Sequence, residues 1–458
     1  MQRARNNSIP AGGTSRARSA IPIGVIVIVG LVLGVVLTRF VAFDGGASPG
    51  AAPASARSAA TLAEQTAELE QAVAADPDDV RSLQALGLVY VSRAVQVGDP
   101  AFYAQAERAF EAADDLVPDD FGTLLGRGAA ATSLHEFSRA GELGEEATTA
   151  RPGNPDALGL LVDAQVELGQ YTDAAAALQD MLDIRPGLPA LARTSYLRQL
   201  NGDLDGAIEA MTRAEVAGTG SPFDVATVVA LRGDLRFIDG EADAALDAYD
   251  RALELSPGLL GAEIGRARVL VSTGEGDRAI AILDEVVDRY PTPAALVLLA
   301  ELHEAAGNTA EATDARELVR GVASLQEEAG QIVDLEMALF EADLGDDPDR
   351  AVVLARAAYD ARPDNVFTAD ALGWALLQAG DAAAALPFAE QAVRLGTADP
   401  LLRYRAAEVF AANGDAVRAS GHLEGVAAMN PRFSVHHGPG ITALADRLGV
   451  DLVDPSEG

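Results

Sequence analysis

The sequence predicts an all-α fold, a right-handed solenoid of about ten helix-turn-helix repeats that follows one N-terminal transmembrane helix. Three observations predict this architecture. Alanines return in register along most of the chain, glycines and prolines recur at two places in each repeat, and twenty uncharged residues stand together near the N-terminus. The chain is 49% hydrophobic but only 5% aromatic, which indicates helices that pack closely through small side chains.

The chain divides into five predicted segments. They are a basic cytoplasmic tail at 1–18, a transmembrane signal-anchor helix at 19–41, a flexible Ala/Gly/Pro/Ser linker at 42–60, a repeat array at 61–431, and a C-terminal capping helix and tail at 432–458. The linker has too few large apolar side chains to form a core, so we expect it to act as a tether.

The predicted transmembrane helix contains the uncharged run from Ser19 to Thr38, which is dominated by Ile, Val and Leu. A helix of that length spans about 30 Å, the thickness of the hydrocarbon core of a bilayer. Four arginines precede the run and Arg39 follows it, so the positive-inside rule predicts a cytoplasmic N-terminus and an extracytoplasmic repeat array. We therefore expect a single-pass protein of the cytoplasmic membrane.

Two alternatives to this topology stay open. The apolar run could belong to a cleavable signal peptide that ends at Ala54-Ser55-Ala56, although it is longer than the usual apolar core of such peptides. The orientation could also be reversed, with the repeats in the cytoplasm. Gly30 and Gly34 form a G-x-x-x-G pattern that lets two membrane helices approach, so a homodimer is a further prediction.

The repeat array is marked by an alanine at the point where the second helix of each pair crosses the first. Successive alanines are 33 or 34 residues apart, except for two intervals of 38 and 39 residues. The aligned residues are Ala106, Ala140, Ala174, Ala207, Ala245, Ala279, Ala312, Ala351, Ala385 and Ala419. One such match is weak because alanine is common in this chain, but ten in register predict a regular array.

Glycine and proline mark the two turns of each repeat. Glycine favours the left-handed backbone at the end of a first helix, and proline stops a second helix because it lacks an N–H. The glycines are Gly169, Gly202, Gly240, Gly274, Gly307, Gly380 and Gly414. The prolines are Pro77, Pro118, Pro152, Pro186, Pro257, Pro291, Pro363 and Pro431.

The stretch 363–397 shows the repeat most clearly, as two predicted helices joined by a Gly-Asp turn. Small residues stand where the two backbones approach, namely Gly373, Ala385 and Ala392. Together with Leu86-Gly87 in an earlier first helix, this pattern resembles the tetratricopeptide repeat, in the form found in membrane-anchored bacterial proteins. The resemblance covers roughly residues 61–431 and implies a solenoid that binds proteins or peptides.

Several units depart from the regular pattern. The insertion from Val91 to Pro100 should lengthen the turn of the first unit. Ala310–Gly330 should extend the second helix of the seventh unit, and Gly345–Pro348 should form the turn of the eighth. Residues 61–75 should form a lone helix that covers the first unit, and Gly440–Leu448 a helix that covers the last one.

The composition argues against several classes of function. A net charge of −35 disfavours nucleic acid, since binding requires basic residues that neutralise phosphates. There is no cysteine for a thiol nucleophile and no lysine for a P-loop or a Schiff base. His303-Glu304 begins a zinc-protease pattern, but Gly307 stands where the second histidine is needed. We therefore predict that the protein is not an enzyme and has no catalytic residue, cofactor or metal site.

The remaining candidate is a binding surface. First helices of a stacked array line a concave groove, and the resemblance implies that four positions of each first helix face into it. These residues are Asp163, Tyr196, Asp234, Phe237, Arg268, Glu301, Glu304, Glu336, Asp370, Trp374 and Tyr404. Acids and aromatics dominate, so we expect the groove to bind basic or apolar extended peptides. An alternative for Trp374 is that it only fills the contact between neighbouring helices.

The predicted function is a membrane-tethered, non-catalytic scaffold that binds protein or peptide partners in the cell envelope. The alternative is a secreted or envelope protein that handles polysaccharide or assists export and assembly after its leader is cleaved.

Overall fold

The computed structural model describes residues 62–97, 99–218 and 222–452. These residues form 22 α-helices and no β-strand. The predicted basic tail, transmembrane helix and linker lie outside the described residues, as do Gly30 and Gly34. Among the helices that are described, none is both long enough and apolar enough to cross a bilayer.

The helices follow one another without long irregular connections. Their bounds are α1 Leu62–Ala75, α2 Val80–Val97, α3 Ala101–Leu116, α4 Phe121–Ser133, α5 Phe137–Ala150, α6 Pro155–Glu167, α7 Tyr171–Ile184, α8 Leu188–Leu200, α9 Leu204–Ala217, α10 Pro222–Ile238, α11 Ala242–Leu255, α12 Leu260–Ser272, α13 Gly276–Arg289, α14 Pro293–Ala305, α15 Thr309–Glu328, α16 Asp334–Asp343, α17 Pro348–Ala361, α18 Val366–Gln378, α19 Ala382–Ala392, α20 Pro400–Ala412, α21 Ala416–Met429 and α22 Gly438–Leu448.

Helices α2 to α21 form ten consecutive pairs, which we call units 1 to 10; unit 1 is α2 with α3, and unit 10 is α20 with α21. In most neighbouring units the first helices also contact one another, so they form the inner wall of the solenoid. The predicted all-α repeat array is therefore confirmed across the part of the chain that the structure describes.

The aligned alanines mark the helix contacts, as predicted. All ten are buried, and none is more than 1% exposed. A side chain larger than a methyl group at these positions would hold the two helices of a unit apart. Gly373 acts in the same way from the first helix of unit 9, because a Cβ there would lie 3.3 Å from the backbone nitrogen of Ala389.

Both kinds of predicted turn residue are confirmed. The seven turn glycines all adopt a left-handed backbone, with φ between 77° and 85°. Each of the eight predicted prolines lies two residues beyond the end of a helix. Helix ends in this chain are therefore specified locally, one by a conformation that glycine favours and the other by a missing N–H.

The irregular units are confirmed in part. α1 and α22 flank the array, and α15 is extended to 20 residues as expected. The prediction for the first unit was wrong, because the insertion lengthens the helix α2 to 18 residues rather than its turn. Val91 and Ala94 are spaced to share one face of a helix and both are buried, so the apolar pattern carries the helix through the insertion.

The solenoid closes on itself along its axis. The internal turns of units 2 to 5 contact the turns that follow units 7 to 10, and we call this set of contacts the axial seam. Its repeated hydrogen bonds are Ile332 N–H to Leu134 O (3.0 Å), Asn365 Nδ2–H to Glu167 O (2.9 Å), Ala398 N–H to Gln199 O (3.0 Å) and Asn430 Nδ2–H to Phe237 O (2.7 Å). The acceptors lie at the ends of first helices, where carbonyl groups lack partners within their own helix.

An ion pair and two glycines reinforce the axial seam. Arg362 Nη1 lies 2.8 Å from Glu167 Oε2, and both side chains are buried. A Cβ on Gly169 would lie 2.2 Å from the backbone carbon of Asp364, and one on Gly202 would lie 2.7 Å from the carbonyl oxygen of Gly396. These two turns therefore need glycine for their φ angle and also for the approach of the next superhelical turn.

Candidate functional site

The axial seam encloses a lumen, and the lumen contains a cavity of about 210 Å³. Its walls come from first helices of units 3 and 5 to 10, together with the segment that follows α21. The apolar part of the wall includes Phe237, Val271, Leu298, Leu335, Leu339 and Phe367. The charged part comprises Glu167, Asp234, Glu301, Asp343, Asp370, Asp399, Arg268, Arg405 and Arg432.

Arg405 on α20 is the central charge of the lumen. It is only 3% exposed, and its two terminal nitrogens bind Asp343 Oδ2 (2.7 Å) and Asp370 Oδ2 (3.0 Å). Its guanidinium carbon also lies 5.5 Å from the centre of the Trp374 ring. A buried arginine between two carboxylates ties α16, α18 and α20 together across three units.

Asp343 at the end of α16 is held in its ionised form. Its Oδ1 accepts a hydrogen bond from Trp374 Nε1 (2.6 Å) and lies 3.6 Å from His437 Nε2. Burial alone would raise the pKa of Asp343, but Arg405 and His437 outweigh burial and keep the pKa below its ordinary value. At Asp370 burial prevails over Arg405 and raises the pKa to about 6.

A second charged group lies on α10 and α12. Asp234 Oδ1 accepts a hydrogen bond from the Tyr249 hydroxyl (2.7 Å) and lies 3.7 Å from Arg268 Nη2. The Tyr249 ring reaches this point because Gly233 and Gly265 leave room for it on either side. Burial raises the pKa of Asp234, and Arg268 opposes that shift.

Glu301 on α14 differs from the other lumenal acids. Among the described residues its carboxyl group has no hydrogen bond or ion pair, although Arg268 and Arg405 face the same cavity. Burial raises the pKa of Glu301 to about 8, and the charge of Asp343 adds to that shift. Near neutral pH this side chain is therefore largely a neutral carboxylic acid that can both donate and accept a hydrogen bond.

A neighbouring cavity of about 170 Å³ shares Glu301 and Arg405 with the first and adds Glu336 to the wall. Glu336 is 3% exposed, and neither carboxylate oxygen has a hydrogen-bond partner in the part of the chain that the structure describes. The nearest basic atom is His135 Nδ1, at 3.6 Å. Burial lowers the pKa of His135, so this imidazole is neutral near pH 7 and places no positive charge beside Glu336.

The structure places ten of the eleven residues predicted for the groove in three environments, whereas the eleventh, Glu304, is exposed and lines neither of the two cavities. Asp234, Phe237, Arg268, Glu301 and Asp370 line the larger cavity, and Glu336 lines the smaller one. Asp163 and Tyr196 border a gap of about 10 Å³, where Asp163 forms a buried ion pair with Arg193 at 2.6 Å. Trp374 and Tyr404 are covered by His437, at ring-centre distances of 5.8 and 5.3 Å.

Sequence reasoning missed Asp343, Arg405 and the segment after α21. Arg405 follows the predicted Tyr404 directly, so a shift of one residue in the assumed register would have found it. Asp343 lies seven residues after Glu336 and therefore on the same helix face. This spacing alone predicts that Asp343 also faces the groove. The path of the segment after α21 depends on the superhelical turn, and no local pattern indicates it.

Asp343, His436 and His437 place potential metal-ligand atoms within 4.8 Å of one another. Both oxygens of Asp343 already accept hydrogen bonds, from Trp374 and Arg405. A divalent cation here would lie close to the guanidinium of Arg405, and that repulsion opposes binding. We therefore interpret Asp343 and His437 as part of the hydrogen-bonded lining of the lumen.

Comparison with known sequences finds the tetratricopeptide repeat. One model of the repeat matches residues 131–194 and 236–302, and a second matches residues 200–259. Within the predicted array 61–431, these matches confirm the repeat type for residues 131–194 and 200–302. No curated protein sequence is significantly similar to the chain.

Comparison with solved structures finds helical repeat proteins of low sequence identity. The Thermus thermophilus tetratricopeptide-repeat protein TTC0263 is 20% identical, with 42% of this chain and 99% of that chain covered and a TM-score of 0.38. Human IFIT1, solved as a dimer with m7Gppp-AAAA, is 14% identical over 72% of this chain and 76% of its own, with a TM-score of 0.45. Yeast Tom70 is 12% identical over 81% and 96%, with a TM-score of 0.36.

Proposed function

We propose that this tetratricopeptide-repeat protein is a non-catalytic scaffold that binds a basic and apolar segment of a partner protein on the inner face of its superhelix. Solenoids of this type bind their partners on the concave surface. The observation that carries the proposal is the composition of the lumen. Its walls are largely apolar, its carboxylates outnumber its arginines, and among the described residues neither Glu301 nor Glu336 forms an ion pair with an arginine.

The unpaired acids favour a basic ligand for an electrostatic reason. Each lumenal arginine near Asp234, Asp343 or Asp370 is already engaged by a carboxylate, so little positive charge is left to attract an acidic ligand. An arginine or lysine of a partner would instead pair with Glu301, whose carboxyl group would then lose its proton, or with Glu336. The apolar wall would hold the intervening side chains.

We further propose that residues 19–41 anchor the protein in the cytoplasmic membrane and that the repeats act in the cell envelope. The support is the apolar run and the placement of its flanking arginines. Protease treatment of intact cells tests the orientation. Digestion of the repeats without lysis supports the proposal, whereas digestion only after lysis contradicts it.

Peptide binding to the full-length protein tests the scaffold function. The probes are fluorescein-labelled dodecapeptides in which arginine alternates with phenylalanine and leucine, and matched peptides with glutamate in place of arginine. We expect the arginine peptides to bind and the glutamate peptides to fail. Replacing Glu301→Gln and Glu336→Gln together should weaken binding by about 30-fold or more, because loss of a buried charge pair costs about 2 kcal/mol or more.

The matched control is Glu145→Gln, which removes an exposed acid from the outer helix α5 and should leave the affinity unchanged. Equal binding of both peptide series, or equal affinity of the lumenal variant and the control, would contradict the proposed function.

A further inference from the structure

The inner face of the superhelix already holds a piece of the same chain. After α21 ends, residues Asn430–His437, which we call the C-terminal segment, cross the lumen before α22 begins. The segment starts at unit 5, where Asn430 Nδ2 donates a buried hydrogen bond to Phe237 O (2.7 Å). It ends at units 8 to 10, where His437 lies 3.6 Å from Asp343 and packs against Trp374 and Tyr404.

Two apolar side chains fix the middle of the C-terminal segment. Phe433 packs against the core around Phe237 and also against the core around Trp374 and Tyr404. Val435 packs against the core that α12, α13 and α14 form. One short segment therefore contacts first helices from units 5 to 10 and closes one side of the lumenal cavity.

Covering the end of the array does not require this path. The last unit is covered by α22, whose Ile441 and Leu444 pack against Leu423 and Val426 of α21. A cap of that kind needs contacts with unit 10 alone. The contacts of Phe433 and Val435 with units 5 to 7 therefore call for a different explanation.

The composition of the C-terminal segment matches the lumen that it crosses. Its sequence is N-P-R-F-S-V-H-H, and the chain has no acidic residue between Glu424 and Asp446. Such a stretch stands out in a chain with 69 acidic residues and a net charge of −35. The segment combines basic and apolar side chains, and this is the chemistry that the acidic, apolar lumen is built to bind.

We propose that the C-terminal segment is a built-in occupant of the lumenal face and that the partner segment binds by displacing it. This inference rests on the proposed function. It also describes the partner: an aromatic side chain replaces Phe433, a β-branched one replaces Val435, and a ring that can hydrogen-bond to Asp343 replaces His437. The tethered segment competes at a high effective concentration, so it lowers the apparent affinity for any free ligand.

The test uses the full-length protein and a labelled peptide with the sequence of residues 430–440. In the variant Phe433→Ser/Val435→Ser the tethered segment loses its apolar contacts, and the free peptide should bind about 10- to 100-fold more tightly than it binds to the unaltered protein. The control variant is Val417→Ser, at a side chain that is 85% exposed on α21. The control peptide has the same residues in scrambled order.

Three results separate this inference from the proposed function. Equal affinity of the variant and the unaltered protein overturns the inference, and binding of arginine-rich peptides in the same assay leaves the scaffold function standing. Failure of every peptide with every variant overturns both. If the scrambled peptide binds as tightly as the peptide with the native order, the positions of the aromatic, β-branched and histidine side chains do not matter, and the inference is overturned.

A second measurement applies even if the double variant does not fold. In the unaltered protein, saturation with the tightest-binding arginine-rich peptide should speed hydrogen exchange of the amides at 432–437, because the segment leaves the lumen. Unchanged exchange at these amides overturns the inference.

Discussion

At the residue scale, glycine is required in the turns for two separate reasons, the φ angle of the turn and the space beside it. Gly169 and Gly274 have nearly the same backbone, with φ of 77° and 84°. The Cβ of an alanine at position 274 would meet open space, whereas at position 169 it would meet the backbone of Asp364. One turn is therefore constrained by its own conformation, and the other is also constrained by the axial seam.

This difference predicts the effects of two matched substitutions. Gly274→Ala should lower the free energy of unfolding by about 1 kcal/mol, because alanine is strained at a positive φ. Gly169→Ala should cost roughly 2–4 kcal/mol, since the contact with Asp364 must also open. Urea unfolding followed by circular dichroism measures both. Similar losses in the two variants would show that the axial seam does not restrict Gly169.

Glu301 predicts a pH dependence of stability. Burial raises the pKa of Glu301 from 4.5 to about 8, so the folded chain holds this proton more tightly than the unfolded chain does. The resulting stabilisation is complete below the unfolded-state pKa and is lost as the pH rises through the folded-state value. Glutamine cannot titrate, so the stability of the unaltered protein relative to Glu301→Gln should fall between pH 4.5 and 8.

Thermal unfolding of both proteins across this pH range measures the difference, with Glu145→Gln as the exposed control. A melting-temperature difference that stays constant with pH would contradict the raised pKa.

At the element scale, two asparagines cap equivalent helices, but only one of them is seen to use its amide nitrogen in the axial seam. Asn154 caps α6 through backbone N–H groups of Asp156 and Ala157. Asn365 caps α18 in the same way and also donates its Nδ2–H to Glu167 O across the axial seam. The cap uses the side-chain oxygen, whereas the axial seam uses the side-chain nitrogen.

Replacing each asparagine with aspartate separates the two roles. Asn154→Asp keeps the capping oxygen and should change stability by less than about 0.5 kcal/mol, because Asp and Asn are equally good caps. Asn365→Asp loses the seam donor and places a carboxylate beside Glu167 O, which should cost about 1–3 kcal/mol. Hydrogen exchange should also accelerate at Ala398 and Ile332, whose amides donate across the axial seam. An effect of the same size at both sites would contradict this assignment.

The elements themselves could be predicted from the sequence because their signals are local. A helix contact needs a small residue such as Ala385, a first-helix end needs glycine and a second-helix end needs proline, and each requirement is met within a few residues. The prediction for the insertion at Val91 was wrong because Val91 and Ala94 keep the spacing of a helix, which extends α2 to Val97. Burial of both side chains shows that the periodicity decides the structure there.

At the scale of the whole molecule, the sequence did not predict the axial seam or the lumen beside it. The superhelical rise depends on a small rotation between neighbouring units that accumulates along the array. Gln199 and Ala398 meet only after that accumulation, and nothing near either residue indicates the other. Five of the predicted groove residues still line the larger cavity, because the side of a first helix that faces inward is a local property.

The position of the axial seam beside the lumen predicts that the seam controls how fast a ligand binds. The lumen is bounded by the axial seam on one side and by the C-terminal segment on another, so opening either boundary would widen the path for a peptide. If the axial seam opens, Asn365→Asp should speed the association of an arginine-rich peptide several-fold, because a weaker boundary opens more often. Asn154→Asp should leave that rate unchanged.

Trp374 is the single tryptophan of the chain and packs against His437, so stopped-flow fluorescence can follow binding directly. Equal rates for the two variants would show that the axial seam stays closed during binding.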